Sequence, residues 1–182
     1  MIEYVPEIST PPRILLGVPS AWKGLETILG GIVEQCCKQR NRCLEFGVEY
    51  GFSTVALSNF FDHVIGVDHF VGDQHSGRHS SYFDETRERL RPYPNIELAP
   101  WEWRKWIVHH ENEQFDLVHV DIEHTYEETY PSLLWAIAHS PVVIAHDTVS
   151  FPPVLRAVND AARVTDRTVR NYPRYNGLAI LT

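Results

Sequence analysis

Glycines and acidic residues follow the first two apolar runs of this 182-residue sequence, in an order that suggests a ligand site. The first run leads into LEFGVEYGFST, where four candidate site residues stand at a predicted strand-to-helix turn: Glu45, Gly47, Gly51 and Ser53. Glycines let the backbone approach a ligand closely, and the start of a helix offers free N–H groups.

The second run, HVIGVDHF, places Asp68 where its carboxylate could accept both hydroxyls of a ribose. Because the spacing is not Gly-x-Gly-x-x-Gly, the pattern favours an adenosine-containing ligand without a bound pyrophosphate. A tight turn with a helix cap is the structural alternative.

Two further carboxylates end later apolar runs. Asp121 closes FDLVHVD, and Asp147 closes VVIAHD. The carboxyl ends of parallel strands meet at one edge of a sheet, so these side chains are expected to converge there. With Thr148 they would suit Mg²⁺, whereas a nearby imidazole of His124 or His146 would favour Mn²⁺ or another transition metal. The alternative is that Asp121 contacts a cofactor or caps a helix, and that Asp147 is a cap.

His124, Trp101 and the polar loop over residues 71–81 each have one functional and one structural interpretation. His124 is the candidate catalytic base beside Asp121, because a neutral imidazole can accept a proton near pH 7. It could equally orient a carboxylate. The indole of Trp101 could stack on an adenine, although tryptophans at helix spacing, here Trp101, Trp103 and Trp106, are also typical of core packing. The polar loop over residues 71–81, with His75, Arg78 and His79, is either a lid or an exposed loop.

The elements that must position these residues alternate between strands and helices. The apolar runs predict seven strands, at 43–47, 63–68, 95–99, 115–121, 141–147, 167–172 and 177–182. The intervening stretches predict six helices, at 21–39, 53–61, 80–91, 101–110, 126–139 and 154–164, the first capped by Ser20. This order predicts an α/β fold with a doubly wound, Rossmann-like, seven-stranded, mostly parallel sheet and a C-terminal antiparallel hairpin. Residues 1–20 are a proline-rich N-terminal arm, and 21–182 form a single domain.

Charge and composition exclude several classes of partner. The sequence has 16 Lys and Arg against 24 Asp and Glu, a net charge of −8, which argues against nucleic acid and anionic membranes. No apolar run is long enough to span a bilayer, and the N-terminus does not look like an export signal, so we predict a cytoplasmic protein. The three cysteines lack the spacing of a zinc site or a disulfide framework.

Taken together, these motifs resemble the class I S-adenosylmethionine-dependent methyltransferases. Over residues 44–148 the sequence is similar to the small branch that includes catechol and caffeoyl-CoA O-methyltransferases. The resemblance implies a cofactor site for S-adenosylmethionine that includes Glu45, Gly47, Gly51, Ser53, Asp68, Trp101, Glu102 and Asp121. It also implies a divalent metal at Asp121, Asp147 and Thr148, and a base at His124, where the catechol-type enzymes have a lysine. The His139-Ser140-Pro141 segment departs from the Gly-Gly turn usual in the family, which affects loop shape.

The leading hypothesis is therefore methylation of a small-molecule hydroxyl, assisted by a divalent cation such as Mg²⁺. Two alternatives share the fold: a nicotinamide-dependent oxidoreductase, and a non-catalytic module that binds a cofactor or a partner protein. The chain barely exceeds a bare methyltransferase domain. Short loops, the N-terminal arm or a second copy in a homo-oligomer must therefore determine which acceptor is bound.

Overall fold

The fold is a twisted sheet covered by helices on both faces, and it is described here from a computed structural model for residues 1–72 and 80–182. The strands are β1 (Ile2–Glu3), β2 (Arg42–Phe46), β3 (His63–Asp68), β4 (Ile96–Pro100), β5 (Leu117–Val120), β6 (Val143–His146), β7 (Val169–Tyr172) and β8 (Leu178–Leu181). The helices are α1 (Glu26–Cys36), α2 (Phe52–Ser58), α3 (Phe83–Leu90), α4 (Trp103–His109), α5 (Tyr126–His139) and α6 (Pro152–Thr165). Among the described residues, no helix is both long and apolar enough to cross a membrane.

The strands form one sheet in the order β1-β7-β8-β6-β5-β2-β3-β4. The pairs from β6 to β4 are parallel, whereas β8 runs antiparallel to both β6 and β7. The predicted mostly parallel sheet with a terminal antiparallel hairpin is thus confirmed. Buried side chains of α1 and α2 pack on one face of the sheet, and those of α4, α5 and α6 pack on the other. Apolar residues on both faces of each central strand explain why the sequence shows continuous apolar runs.

Two details differ from the prediction, and both concern the N-terminal region. The sheet has eight strands rather than seven, because Ile2 and Glu3 pair in parallel with β7. A strand of two residues is too short to show a recognisable apolar pattern in the sequence. The first helix begins at Glu26 rather than at residue 21, and the Ser20 hydroxyl accepts a hydrogen bond from the Trp22 N–H (3.1 Å) in a turn before it.

The order of the strands determines where a ligand can bind. The chain builds outward from β2 to β3 and β4 in one direction, and from β5 to β6 in the other. The boundary between β2 and β5 is therefore a topological switch point, where the loops after adjacent strands diverge and leave a crevice. The loops after β2, β3, β5 and β6 all open into this crevice.

Candidate methyl-transfer site

A cleft of about 930 Å³ lies at the carboxyl ends of the central strands. That volume is at the upper end of typical ligand pockets, so it can hold a cofactor together with a small acceptor. Seven sequence-predicted site residues line it, together with His124: Gly47, Ser53, Asp68, Trp101, Glu102, Asp121 and Asp147. Glu45, Gly51 and Thr148 do not belong to the lining. The predicted lid residues His75, Arg78 and His79 lie outside the described part of the chain.

The loop after β2 approaches the end of β5 very closely. Gly47 has a φ of 90°, and a Cβ atom at this position would lie 1.7 Å from the carbonyl oxygen of Asp121. The Asp121 N–H also donates to the carbonyl oxygen of Phe46 (2.9 Å). Glycine at position 47 is therefore required both by the backbone conformation and by the space available. Gly51 also has a left-handed φ, 86°, and is the N-cap residue of α2.

Asp68 anchors the glycine loop from the end of β3. Its Oδ2 atom accepts hydrogen bonds from the N–H groups of Val48 and Glu49, both at 2.9 Å, and its Oδ1 atom accepts from the Phe70 N–H at 2.7 Å. Each carboxylate oxygen has two lone pairs, so Oδ2 is already fully used by its two N–H donors, while Oδ1 can still accept a ligand hydroxyl. The location of Asp68 in the cleft is consistent with the predicted ribose contact, which stays a prediction.

Glu45, by contrast, lies beneath the cleft. Its side chain is fully buried and accepts hydrogen bonds from Thr54 Oγ1 and, at 2.9 Å, from His119 Nδ1. The Trp22 indole N–H, which can only donate, lies 3.2 Å from His119 Nε2. That contact makes Nε2 an acceptor and places the His119 proton on Nδ1. The geometry therefore gives Glu45 a supporting role under the cleft instead of the predicted cofactor contact.

The sequence reasoning missed His119 as a partner of Glu45. Its signal was a lone polar residue inside the apolar strand FDLVHVD. A buried polar side chain in such a strand must find a hydrogen-bond partner, but the partner's identity depends on which strand lies beside it. Here β5 pairs with β2, which puts His119 opposite Glu45.

Two carboxylates and two imidazoles meet at the ends of β5 and β6. His124 Nε2 lies 2.7 Å from Asp147 Oδ2 and 3.8 Å from Asp121 Oδ1. His146 Nδ1 lies 3.2 Å from Asp121 Oδ2 and 3.3 Å from Asp147 Oδ2. Asp147 has a left-handed φ of 64°, which an aspartate tolerates better than most residues. The predicted convergence of Asp121 and Asp147 is therefore present, with His124 between them.

Thr148 does not join this cluster, contrary to its predicted role as a metal ligand. It is buried, and its Oγ1 hydroxyl donates a 2.7 Å hydrogen bond to the side chain of Asn171 in β7. The three-residue group with metal-ligand geometry consists of Asp121, His124 and Asp147. A threonine next to Asp147 in sequence points to the other side of the backbone, towards the hairpin.

Mutual attraction between the carboxylates and imidazoles changes their pKa values. Burial alone would lower the pKa of His124, but hydrogen bonds to Asp121 and Asp147 outweigh it and raise the pKa to about 9. Burial also disfavours charge on His146, yet the Asp121 carboxylate and its hydrogen bonds raise that pKa to about 10. The same contacts outweigh burial at Asp121 and Asp147 and hold the pKa of both carboxyls below the ordinary range. In the absence of a bound cation, these contacts therefore favour the protonated form of both imidazoles.

This arrangement predicts a stability that depends on pH in a definite direction. The folded-state pKa values of His124 and His146, about 9 and about 10, exceed the ordinary 6.5, so folding strengthens proton binding. Their stabilising contribution is complete below about pH 6.5 and is lost as the pH rises through these values. We expect the melting temperature in chelator-containing buffer to fall from about pH 7 to about pH 10, and His146→Asn to flatten this decline. A melting temperature that rises over this range would contradict the assigned ion pairs.

The opposite end of the cleft carries aromatic and acidic residues after β4. Trp101 is 43% exposed, with its edge against His109, while Trp103 and Trp106 are buried in the core. The Glu102 carboxylate caps α4 by accepting from the N–H groups of Arg104 and Lys105. Trp101 is thus the most exposed of these three tryptophans, although Trp103 also lines the cleft, whereas Glu102 lines the cleft but already has a structural role. Contacts of either residue with an adenine stay predictions.

Comparisons with known proteins agree with the fold and with the position of the cleft. A family described as "Methyltransferase domain" matches residues 44–148. No curated protein matches the chain by sequence. Many solved structures are similar in fold. Three of them have low sequence identity to this chain, and their alignments cover most of both chains.

An O-methyltransferase from Bacillus cereus in complex with SAH has a TM-score of 0.64 and 15% identity, over 92% of this chain and 83% of that chain. The O-methyltransferase NovP has a TM-score of 0.67 and 16% identity, over 88% and 78% of the two chains. The O-methyltransferase TomG from Streptomyces achromogenes, in complex with SAM, has a TM-score of 0.61 and 16% identity, over 91% and 81%. Because the family match covers more than half of the sequence and includes every strand that forms the cleft, the chain belongs to this methyltransferase family and is a class I S-adenosylmethionine-dependent methyltransferase.

Proposed function

We propose that the protein transfers the methyl group of S-adenosylmethionine to a hydroxyl group of a small molecule, with the help of a divalent cation. The observation that carries this proposal is the presence, in one cleft, of the glycine loop at Gly47 and the cluster of Asp121, His124 and Asp147. The similar structures named above are all described as O-methyltransferases, which supports oxygen as the accepting atom. The family match removes the oxidoreductase alternative.

The cofactor would lie across the switch point. We propose that the loop at Gly47 and the first turn at Ser53 face the methionine portion, and that Asp68 accepts the ribose hydroxyls. Trp101 and Glu102 would border the adenine. This orientation leaves the Asp121 end of the cleft for the acceptor, so the methyl group would point towards the carboxylate and imidazole cluster.

The donor set of this cluster fits a divalent cation. Two carboxylate oxygens and one imidazole nitrogen lie within 4.8 Å of one another. Carboxylates and imidazoles are common ligands of divalent ions in proteins. When bound, the cation would supply positive charge that orients the acceptor hydroxyl and lowers its pKa. The carboxylates of Asp121 and Asp147 would hold it, with the imidazole of His124 beside them.

The transfer step needs alignment above all. The acceptor oxygen attacks the methyl carbon, the bond from that carbon to sulfur breaks, and S-adenosylhomocysteine leaves as a neutral thioether. The hydroxyl proton passes to a base, for which the sequence resemblance predicts His124. Holding the oxygen in line with the carbon–sulfur bond provides most of the rate enhancement, because the sulfonium is already a good leaving group.

A small uncharged acceptor fits the electrostatics better than a nucleic acid. The net charge is −8, and the described cleft lining includes a single arginine, Arg104, which is paired with Glu128 at 2.8 Å. A polyanion would be repelled by this surface. Assembly into a homo-oligomer and a cytoplasmic location stay predictions.

Calorimetric titration tests the proposed function directly. The protein is titrated with S-adenosylmethionine, S-adenosylhomocysteine and NAD, and methyl transfer is then measured on a panel of catechol, caffeic acid and methyl glucoside with Mg²⁺ or Mn²⁺. We expect binding of the first two ligands and none of NAD, with turnover of a dihydroxy acceptor. The absence of S-adenosylhomocysteine binding would contradict the cofactor assignment, and turnover that is unaffected by a chelator would contradict the metal.

A pair of conservative variants separates two of the four acidic residues of the predicted cofactor site, Asp68 and Glu45. Asp68→Asn should weaken S-adenosylhomocysteine binding about tenfold or more, because hydrogen bonds to a charged group contribute about 1.5–3 kcal/mol each. Glu45→Gln should leave the affinity within about threefold, and lower the melting temperature instead, because Glu45 bonds only to buried side chains. Equal losses of affinity in both variants would restore Glu45 to the cofactor site.

A further inference from the structure

The ligand atoms at the ends of β5 and β6 include a nitrogen as well as oxygens. The separations from His124 Nε2 to Asp147 Oδ2 and to Asp121 Oδ1 are 2.7 Å and 3.8 Å. In an octahedral site with metal–ligand distances of about 2.1 Å, adjacent ligand atoms lie about 3 Å apart. Both separations are within about 1 Å of this spacing, and all three ligand atoms lie within 4.8 Å of one another, so the three side chains can share one cation after small adjustments.

The ring of His124 is held in an orientation that suits a ligand. It stacks on Phe151, with ring centroids 4.1 Å apart and planes inclined by 12°. Stacking fixes the plane of the imidazole and so fixes the direction of its Nε2 lone pair. That atom points at the two carboxylates.

A neighbouring histidine, His146, forms further contacts with the two carboxylates of the cluster. His146 Nδ1 contacts the Oδ2 atoms of both Asp121 and Asp147, and its Nε2 lies 3.2 Å from the carbonyl oxygen of Tyr175 in the hairpin turn. Such outer hydrogen bonds commonly orient the ligands of a metal. Since the Thr148 hydroxyl donates to Asn171 instead, the third side chain directed at the centre is an imidazole and not a hydroxyl.

We propose that His124 is a metal ligand through Nε2 and that the site consequently selects a transition-metal dication, such as Mn²⁺, over Mg²⁺. The proposal rests on the proposed function and deepens it. Mg²⁺ prefers oxygen ligands and gives up its water reluctantly, while imidazole suits first-row transition ions. A nitrogen that coordinates a metal cannot also accept the proton of the acceptor. This assignment therefore replaces the predicted role of His124 as the base, and the acceptor hydroxyl, with its pKa lowered by the cation, would instead lose its proton to solvent water.

Metal binding by the chelator-treated protein provides the test, with no acceptor required. Affinities for Mn²⁺ and Mg²⁺ are measured calorimetrically, and bound Mn²⁺ is examined by pulsed electron paramagnetic resonance. The variants are His124→Asn, which removes the imidazole nitrogen, and His63→Asn as a control. His63 is a partly exposed histidine at the opposite, amino end of β3. Thermal unfolding verifies that each variant is folded.

We expect Mn²⁺ to bind at least about tenfold more tightly than Mg²⁺, and its resonance to show a directly coordinated imidazole nitrogen. His124→Asn should abolish the nitrogen signal and weaken Mn²⁺ binding by at least about tenfold, with Mg²⁺ binding changed by less than about threefold. His63→Asn should match the unaltered protein. Oxygen-only coordination, a nitrogen signal that survives His124→Asn, or no Mn²⁺ binding at all would each overturn the assignment.

Titration of the same samples with S-adenosylhomocysteine separates this inference from the proposed function. If S-adenosylhomocysteine binds but Mn²⁺ is coordinated by oxygen alone, the ligand role of His124 is wrong and the cofactor site stands. If Mn²⁺ binds through nitrogen but S-adenosylhomocysteine does not bind, the metal site stands and the proposed function fails.

Discussion

Replacing Asp147 by alanine should lower turnover by about 10³-fold while S-adenosylhomocysteine affinity changes by less than about threefold. Asp147 supplies a carboxylate oxygen to the three-residue ligand group and lies at the end of the cleft proposed for the acceptor. A metal ion commonly provides several kcal/mol of transition-state stabilisation, which corresponds to a loss of this size. The cofactor's ribose and adenine would be bound at the other end of the cleft and should be unaffected.

The measurement combines steady-state turnover of the acceptor found in the panel with calorimetric titration of S-adenosylhomocysteine. Asp62→Ala is the control, because Asp62 is an exposed carboxylate at the amino end of the sheet. It should leave both values unchanged. If Asp147→Ala reduced turnover and S-adenosylhomocysteine affinity equally, Asp147 would belong to the cofactor site and not to the acceptor side.

Gly47→Ala should destabilise the protein by about 2–5 kcal/mol and remove cofactor binding. The new Cβ would lie 1.7 Å from the Asp121 carbonyl oxygen, so the loop after β2 and the end of β5 must separate. A left-handed conformation costs an alanine about 1–2 kcal/mol, and overpacking typically adds about 1–3 kcal/mol. Because Asp121 belongs to the metal-ligand group, its displacement would also disrupt the acceptor end.

The chain offers a matched control in Gly17→Ala. No atom lies within 4 Å of a Cβ built at Gly17, so this substitution should change the free energy of unfolding by less than about 0.5 kcal/mol. Urea denaturation of both variants and of the unaltered protein gives the comparison. Equal stability of Gly47→Ala and Gly17→Ala would show that the two loops do not approach as closely as described.

Much of the fold followed from periodicity in the sequence. The continuous apolar runs that became β2, β3, β5 and β6 are typical of parallel strands buried on both faces, and the intervening helices then require crossover connections. The strand Ile2–Glu3 was not predictable in this way, since a two-residue strand exists only because β7 offers it a free edge. The start of α1 differed because the 21–25 segment is held in turns by contacts outside the helix.

The predicted cofactor and metal residues also differ in how far the sequence alone could identify their contacts. Gly47, Asp68, Asp121 and Asp147 were identifiable because chemistry at a switch point is concentrated immediately after strands. Glu45 and Thr148 were assigned by the same rule, yet one forms a buried network with His119 and the other donates to Asn171. Glu45 lies inside β2 with its side chain fully buried, and Thr148 lies in the turn after β6, so proximity in sequence to a site residue does not ensure a shared site.

By itself, the sequence determined that this protein is a doubly wound α/β methyltransferase whose chemistry lies at the carboxyl ends of its strands, because local periodicity and turn residues encode both features. Only the tertiary structure decided that His124 Nε2 lies beside the carboxylates of Asp121 and Asp147, while the Thr148 hydroxyl is bonded to Asn171. The physical reason is that these side chains come from different strands and from a loop. Their distances depend on strand pairing, on the stacking of His124 against Phe151 and on the outer support of His146.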